Sequence, residues 1–297
     1  MSLDDFIITC FCLIDELMPE VTKGKRLRTR GAAPKLSDSE VITMEVVGSY
    51  LGLAQDKELF LYFQRHYTHF FPALHHLSRS TFVRQAANLW AVKEHLWCWL
   101  RDEVISYDPT LSIIDSVPLP VCRFARAPWC VRFRGQASYG KDHADRHTFY
   151  GFRLHAQLSW PGVLTHLFLA PANEADGEIA PVVLEGTTGV VLGDRNYWLP
   201  DVQAFLRSKG ILLQAPFRLA HSPHTAAYQS AVLGRARYRI DTVFGQLTDR
   251  CQIKRVWARD LWHLRNRLLR VVLMHTLCFR LNQHDQAPYL QFDRLVA

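Results

Sequence analysis

The sequence lacks any apolar run that approaches the roughly 18 residues needed to span a bilayer. It also lacks the basic start and the cleavage site of a secretory signal peptide. Its seven cysteines are scattered and include no C-x-x-C pair, which argues against a disulfide framework and against a zinc knuckle. We therefore expect a cytoplasmic protein that does not associate with a membrane.

Positive charge is in excess. The 297 residues include 35 Lys and Arg against 28 Asp and Glu, which gives a formal net charge of +7. Hydrophobic residues at 48% and charged residues at 21% are typical of a folded globular protein. A positive surplus favours a polyanionic partner, because each phosphate that Lys or Arg neutralises releases bound counterions. Nucleic acid is therefore one interpretation, and a merely basic soluble protein is the other.

Helical periodicity dominates the first hundred residues. Apolar side chains recur at helical spacing from Phe6 to Leu17. Ser37 and Glu40 fit a capping box in front of a second helix, and Ser78 offers a cap for another. We predict an all-helical N-terminal domain over residues 1–104 and a second domain over residues 105–297.

Strand patterns appear only in the second domain. The strand-like segments are residues 111–114, 149–158, 163–169, 189–192 and 211–214. The second and third of these flank a Pro161-Gly162 turn and predict a hairpin. Helical patterns lie between the later strands, and the chain is predicted to be helical again from about Tyr228. The fold class indicated is α/β, with a mixed sheet flanked by helices.

Two acids follow apolar strand segments. Asp115 comes directly after one segment, and Asp194 comes two residues after another. In open α/β sheets, ligands and chemistry collect beyond the carboxyl ends of strands. Two carboxylates brought together there repel each other unless one is protonated or a cation bridges them, and hard oxygen ligands favour Mg²⁺ or Mn²⁺. Each Asp alone also fits an ordinary turn or helix cap.

A third acid lies in a late helical segment. Ile240, Phe244 and Leu247 mark an apolar stripe, and Asp241 lies beside it. Arg237 is one turn earlier, so a surface salt bridge between Arg237 and Asp241 is the alternative. The strand, strand, helix order of the three acids is stronger evidence for a shared site than any one acid.

Five blocks in this order resemble the DDE-type transposases of bacterial insertion sequences. The blocks are Ile113-Ile114-Asp115-Ser116, Phe149–His155, Pro171–Asp176, Leu192–Tyr197 and Arg237–Phe244. The resemblance covers about residues 105–280, and the segment Leu36–Ile42 resembles the leader domain of the same proteins.

The resemblance implies an RNase H-like core preceded by a helical domain that binds DNA ends. It places the catalytic and metal-binding acids at Asp115, Asp194 and Asp241. The third acid is usually a Glu, and the usual Lys seven residues later is Thr248 here, with Arg250 or Lys254 as substitutes. Should Asp241 not be the third ligand, Glu178 and Asp249 are the next candidates.

The activity implied by the resemblance is DNA cleavage followed by strand transfer. Two Mg²⁺ ions, replaceable by Mn²⁺, assist displacement at phosphorus, first by water and then by the freed 3′-OH. The implied partners are the terminal inverted repeats of the element and the target DNA. A homodimer is expected because two ends must be paired, and no small-molecule substrate is expected.

Side chains near the acids are candidates for DNA contact. Those expected to contact phosphates are Arg153, Arg195, Arg237, Arg239, Arg250 and Lys254. Tyr197 and Trp198 are expected to stack on an unpaired base, with a place in the core as the alternative. His143 and His147 are spaced i, i+4, but no zinc-site pattern surrounds them, so a polar loop near DNA is preferred.

Three other functions are compatible with parts of this pattern. A DNA nuclease on the same core would use the same acids without joining strands. A transposase-derived DNA-binding protein would be inactive because Asp replaces Glu at position 241. A basic structural protein without chemistry is disfavoured by the five ordered blocks.

Overall fold

The structure is a computed structural model that describes residues 1–142, 146–216 and 237–296. It divides into two compact units. The first contains Met1–Ile105, Leu247–Ile253 and Trp257–Ala297, and the second contains Ser106–Gln246 and Lys254–Val256. The C-terminal residues are therefore grouped with the N-terminal helices.

The first unit begins with a series of helices. These are α1 (Leu3–Thr22), α2 (Asp38–Tyr50), α3 (Asp56–His66), α4 (Arg79–Asn88) and α5 (Trp90–Trp99), followed by a π turn at Leu100–Val104. Residues 1–105 are all described and contain no strand, which confirms the helical prediction for this region. Ser78 caps α4 as expected, through a hydrogen bond to its side chain from Thr81 N.

The predicted capping box at the start of α2 is confirmed. Ser37 Oγ accepts a hydrogen bond from Glu40 N at 3.1 Å, and the Glu40 carboxylate accepts one from Ser37 N. This reciprocal pair satisfies two backbone donors that the helix itself leaves unpaired. Because α2 is buried along nearly its whole length, its starting point sets the position of much of the helical core.

Ser37→Ala is therefore expected to lower the free energy of unfolding of the helical unit by about 1 kcal/mol. Ser37→Gly is the matched control, because glycine favours the cap conformation and costs only a few tenths of a kcal/mol. Urea denaturation followed by circular dichroism measures both variants. Equal losses in the two variants would show that the side-chain hydrogen bond does not stabilise α2.

The described strands of the second unit form one six-stranded sheet. They are β1 (Asp108–Pro120), β2 (Ser138–Asp142), β3 (His147–Trp160), β4 (Val163–Pro171), β5 (Gly189–Leu192) and β6 (Ile211–Gln214). β3 is antiparallel to β1, β2 and β4, while β5 runs parallel to both β1 and β6. Gly151 of β3 pairs with Pro120 on one side and Ser138 on the other, so β2 lies on the edge of β3 opposite to β1. This is the predicted mixed sheet.

The strand prediction differs from the structure at two places. β1 does not end at Asp115 but continues to Pro120, and β2 was not predicted. The prolines at 118 and 120 disfavour a central strand, because they cannot donate to a ladder. β5 pairs with β1 only over Leu111–Ile113. The prolines therefore lie where β1 pairs with β3 alone, and the missing N–H groups are tolerated.

Helices cover the sheet of the second unit. α6 (Asp176–Val183) and α7 (Pro200–Ser208) contribute to a core cluster in which Ile114 of β1 and Val191 of β5 are also buried. Residues 237–245 form a further helix, α8, with Ile240 and Val243 buried. Of the helix predicted from Tyr228, residues 228–236 lie outside the described part of the chain, and residues 251–260 are not helical.

The final helix, α9 (Leu261–His284), belongs to the first unit and packs against α2 and α5. It shares a buried polar network in which Asn266 donates to Glu45 at 3.0 Å and Arg270 contacts Asp56 at 2.6 Å. Lys93 of α5 forms an ion pair with the same Glu45. Unpaired charges at such depth would be costly, so each is matched by an opposite charge or a carbonyl. No helix among the described residues is both long and apolar enough to cross a bilayer.

Candidate active site

Asp115 lies within β1, directly opposite Ala156 of β3. Successive strand residues point to opposite faces of a sheet, and Ile114 and Ser116 contact the α6 side. Asp115 therefore points to the other face. There its Oδ2 accepts a hydrogen bond from Arg237 of α8 at 3.2 Å, and its Oδ1 accepts one from Ser116 N at 2.8 Å.

Asp194 stands two residues beyond the end of β5. Its Oδ1 accepts a hydrogen bond from Asn196 N at 2.9 Å, and its Oδ2 accepts one from the Asn196 side-chain amide at 3.0 Å. Ile113 and Leu192 are register partners in the parallel pair of β1 and β5. Each acid lies two residues after one of these partners, and adjacent strands are only about 4.8 Å apart. The register therefore brings Asp115 and Asp194 together.

The Asp115 side chain is only 16% exposed, and burial and neighbouring charges shift the pKa values of both acids. Burial raises the pKa of Asp115 to about 6, and the charge of Asp194 adds to this rise while Arg237 opposes it. Burial also raises the pKa of Asp194, to which the charge of Asp176 contributes. Burial disfavours the ionised form of both carboxylates, and a divalent cation between them would offset this cost. Their oxygen atoms are ligands that suit a hard divalent cation.

Asp241, the third predicted acid, lies on α8 with its side chain exposed. It is one helical turn after Arg237, on the same side of the helix. The alternative salt bridge between these two residues is wrong, because Arg237 pairs with Asp115. Within the described residues, no group of three or more His, Cys, Asp or Glu side chains is arranged to hold a metal ion. Glu178 and Asp249 are both exposed.

With this geometry in place, the sequence can be compared with known families. A family model described as a transposase DDE domain matches residues 106–261, which is more than half of the chain. The chain is a DDE transposase. A transposase is an enzyme that cleaves and transfers DNA, and the matched segment contains all three predicted acids.

A solved structure similar to this transposase is a piggyBac transposase, determined by cryo-EM as a synaptic complex with hairpin DNA. The TM-score is 0.53 at 10% sequence identity, and the match covers 97% of this chain and 78% of that chain. At this identity the likeness shows a shared fold, and it agrees with the predicted α/β class, in which a mixed sheet is flanked by helices and preceded by a helical N-terminal region. No curated protein gives a significant match.

Behind the carboxylate pair of the DDE domain lies a polar network that was not predicted from the sequence. Ser116 donates to Asp176 Oδ1 at 3.0 Å, and Arg153 and His155 each lie 3.9 Å from the same oxygen. Burial, with a contribution from Arg153, lowers the pKa of His155 to about 4, so this His is neutral near pH 7. Tyr197 Oη lies 3.4 Å from His155 Nδ1. The network lies on the α6 side of the sheet and holds Ser116, the residue that follows Asp115.

One signal for this network was present in the sequence. Asp176 belongs to one of the five quoted blocks, and the two-residue strand period places Ser116 on the face opposite to Asp115. The hydrogen bond between Ser116 and Asp176 could not be predicted, because the two residues are 60 positions apart in the sequence.

The predicted DNA-contacting residues of the DDE domain have different environments. Arg195 is exposed beside Asp194, and Trp198 and Lys254 are half-buried. Arg239 stacks on Trp160 with its guanidinium 4.9 Å from the ring centroid. The stacking role predicted for Tyr197 is wrong, because its side chain is 0% exposed and belongs to the core. In the helical unit, Arg250 forms an ion pair with Asp293 and stacks on Tyr50. His143 lies outside the described residues, so the His143 and His147 pair is not described.

Arg237→Gln is expected to raise the pKa of Asp115 above its value of about 6. The guanidinium lowers this pKa through its charge and its hydrogen bond, and glutamine removes the charge. NMR titration of ¹³C-labelled aspartate carboxyls in metal-free protein measures the change. Arg207→Gln on α7, an exposed position, is the matched control and should leave the titration of Asp115 unchanged. An unshifted titration in Arg237→Gln would mean that the ion pair is not formed in solution.

Proposed function

We propose that this transposase cleaves DNA at the ends of an insertion-sequence element and joins the freed 3′-OH to target DNA. The observation that carries the proposal is the register of β1 and β5, which brings Asp115 and Asp194 together in a desolvated site. A bound cation would relieve the repulsion in such a pair, and phosphodiester chemistry needs a cation at the same place.

Asp115 and Asp194 are the first two residues proposed to hold divalent cations, and Mg²⁺ or Mn²⁺ suits their oxygen ligands. When bound, two such ions supply Lewis-acid stabilisation of the charge that develops at phosphorus. Asn196 orients Asp194 through two hydrogen bonds, and Ser116 N orients Asp115. Arg237 compensates the charge of Asp115 in the metal-free protein and is close enough to contact a DNA phosphate beside it.

Asp241 is proposed as the third carboxylate. This proposal is supported by the position of Asp241 on α8, one helical turn after Arg237, which contacts Asp115. An exposed side chain at the edge of an open site is accessible to metal and DNA together. Because Asp is shorter than Glu by one methylene, this ligand reaches less far from the helix than the usual family residue.

DNA is proposed to lie across the carboxylate pair. Arg195 and Arg237 are the proposed phosphate contacts nearest to the acids, and Arg239, Lys254 and Trp198 are further proposed contacts. Arg153 is a weaker candidate than predicted, because its side chain is only 11% exposed and lies beside Asp176 on the α6 face. The helical first unit is proposed to bind the terminal inverted repeats, with Arg250 among its basic residues. A homodimer is proposed because two element ends must be joined. The similar solved structure, a piggyBac transposase, is itself a synaptic complex with DNA.

The proposal is tested with purified protein and labelled duplexes that carry the terminal repeats flanking the gene. We expect strand cleavage at the repeat ends with Mg²⁺ or Mn²⁺ and none with EDTA. Pre-cleaved ends with a free 3′-OH should be joined to a target plasmid. Cleavage without joining would identify a nuclease instead, and binding without cleavage would identify an inactive DNA-binding protein.

A further inference from the structure

A cavity of about 430 Å³ opens beside the start of α6 in the second unit. Its lining includes Tyr139, Lys141, Asn173, Glu174 and Asn196. Asn196 also donates its side-chain amide to Asp194 Oδ2 at 3.0 Å. The cavity therefore adjoins Asp194 through Asn196, and a volume of several hundred Å³ is in the range of sites for small organic groups.

The Tyr139 ring forms an aromatic wall at this cavity. Its side chain is 48% exposed although it lies in β2. Phe124 contacts the ring edge-on at a centroid distance of 6.1 Å, and the buried Tyr150 supports it at 5.1 Å. A ring held by two other rings loses little conformational freedom when a flat ligand stacks on it.

The chain that leads to Tyr139 is basic and aromatic. Residues 116–141 contain no Asp or Glu, and their basic residues are Arg123, Arg126, Arg132, Arg134 and Lys141, all exposed. Phe124 and Trp129 are exposed among them, at 54% and 77%. Cations for the backbone interleaved with exposed rings for the bases are what proteins use to bind single-stranded nucleic acid.

We propose that this cavity holds an unpaired nucleotide of the DNA substrate, with its base stacked on Tyr139. The flanking phosphates lie along the basic stretch 123–141. Asn173 offers both a donor and an acceptor to the base edge, and Glu174 offers an acceptor. The inference rests on the proposed function for the choice of DNA, and it adds that a strand enters the site unpaired next to the scissile phosphate.

Binding of fluorescein-labelled single strands and of the matching duplex, measured by anisotropy with the full chain and without metal, tests this inference. Tyr139→Ala is expected to weaken single-strand binding about tenfold and to change duplex binding by less than about twofold. Tyr139→Phe keeps the ring and should bind within about twofold of the unchanged protein. Asn173→Trp fills the cavity and should weaken single-strand binding while Tyr139 is intact.

Phe205→Ala is the matched control. Phe205 is 50% exposed in the same unit and, like Tyr139, lies close to a lysine, Lys209. Its loss should leave both affinities unchanged. Equal weakening for single strand and duplex in Tyr139→Ala, or unchanged single-strand binding in Tyr139→Ala, overturns the inference, as does a loss in Tyr139→Phe equal to that in Tyr139→Ala.

This assay separates the inference from the proposed function. Because it contains no metal and needs no cleavage, the Tyr139 effect can be present in a protein that never cleaves DNA, and then only the proposed function fails. A protein that cleaves element ends normally with Tyr139→Ala and binds single strands unchanged would retain its function and refute the unpaired nucleotide.

Discussion

Asp115→Asn and Asp194→Asn are each expected to lower DNA cleavage by at least about a thousandfold while DNA binding changes little. Metal-assisted stabilisation at phosphorus is worth several kcal/mol, and each 1.4 kcal/mol is about tenfold in rate. Asparagine keeps the shape of each side chain but removes the charge that a cation requires. Single-turnover cleavage of labelled element ends, together with a gel-shift assay, measures both quantities.

Asp201→Asn is the matched control for this pair. Asp201 is an exposed acid in the first turn of α7 and contributes nothing to the carboxylate pair. The Asp201→Asn protein should cleave DNA as fast as the unchanged protein. Retention of cleavage in either Asp115→Asn or Asp194→Asn would show that the pair formed by β1 and β5 is not the catalytic centre.

The same Asp115→Asn change is expected to stabilise the metal-free protein. The folded pKa of Asp115 is about 6, raised from 3.8, so the folded state holds this proton more tightly than the unfolded state does. The associated stability is present below about pH 4 and is lost as pH rises to about 6. At pH 7 the ionised carboxylate costs about 3 kcal/mol, and asparagine removes that cost. Thermal denaturation with and without Mg²⁺ should show the variant more stable without metal and unresponsive to it.

Much of the second unit could be predicted from local pattern alone. The β5 and β6 segments were predicted with their observed bounds, since a short apolar run that begins at or directly after a glycine leaves few alternatives. The hairpin of β3 and β4 followed from the Pro161-Gly162 turn. Asp194 was correctly placed beyond a strand end, because the strand that precedes it stops at Leu192.

The predictions that were wrong concern contacts between distant segments of the chain, which a single sequence does not reveal. The length of β1 is set by β3, which pairs with it as far as Pro120 in spite of the prolines. Tyr197 was predicted to stack on a base because it lies near Arg195 and Asp194 in the sequence, but it ends the 3-10 turn that Asp194 caps and is buried in the core. The cavity at Tyr139 requires β2, a short strand that, among the described residues, pairs only with β3.

The period of β1 separates two functions on its two faces. Asp115 points to the face where α8 lies, and Ser116 points to the face of α6 and the buried Asp176. Asp176 is therefore an unsuitable third ligand although it is acidic and near Asp194, because it is on the wrong side of the strand from Asp115. Asp241 on α8 is on the side of Asp115, and for this reason it is the stronger candidate despite its exposure.

Asp241→Ala is accordingly expected to lower cleavage by at least about a hundredfold, whereas Asp241→Glu should maintain or raise it. Alanine removes the proposed metal ligand, while glutamate extends the carboxylate by one methylene and restores the length of the usual family residue. Mn²⁺-dependent cleavage of element ends measures both variants, and Asp201→Ala controls for the loss of an exposed acid. A fully active Asp241→Ala protein would remove Asp241 from the site and direct the same test to Glu178 and Asp249. An Asp241→Glu protein as inactive as Asp241→Ala would mean that α8 holds its acid at a distance that only the shorter side chain fits.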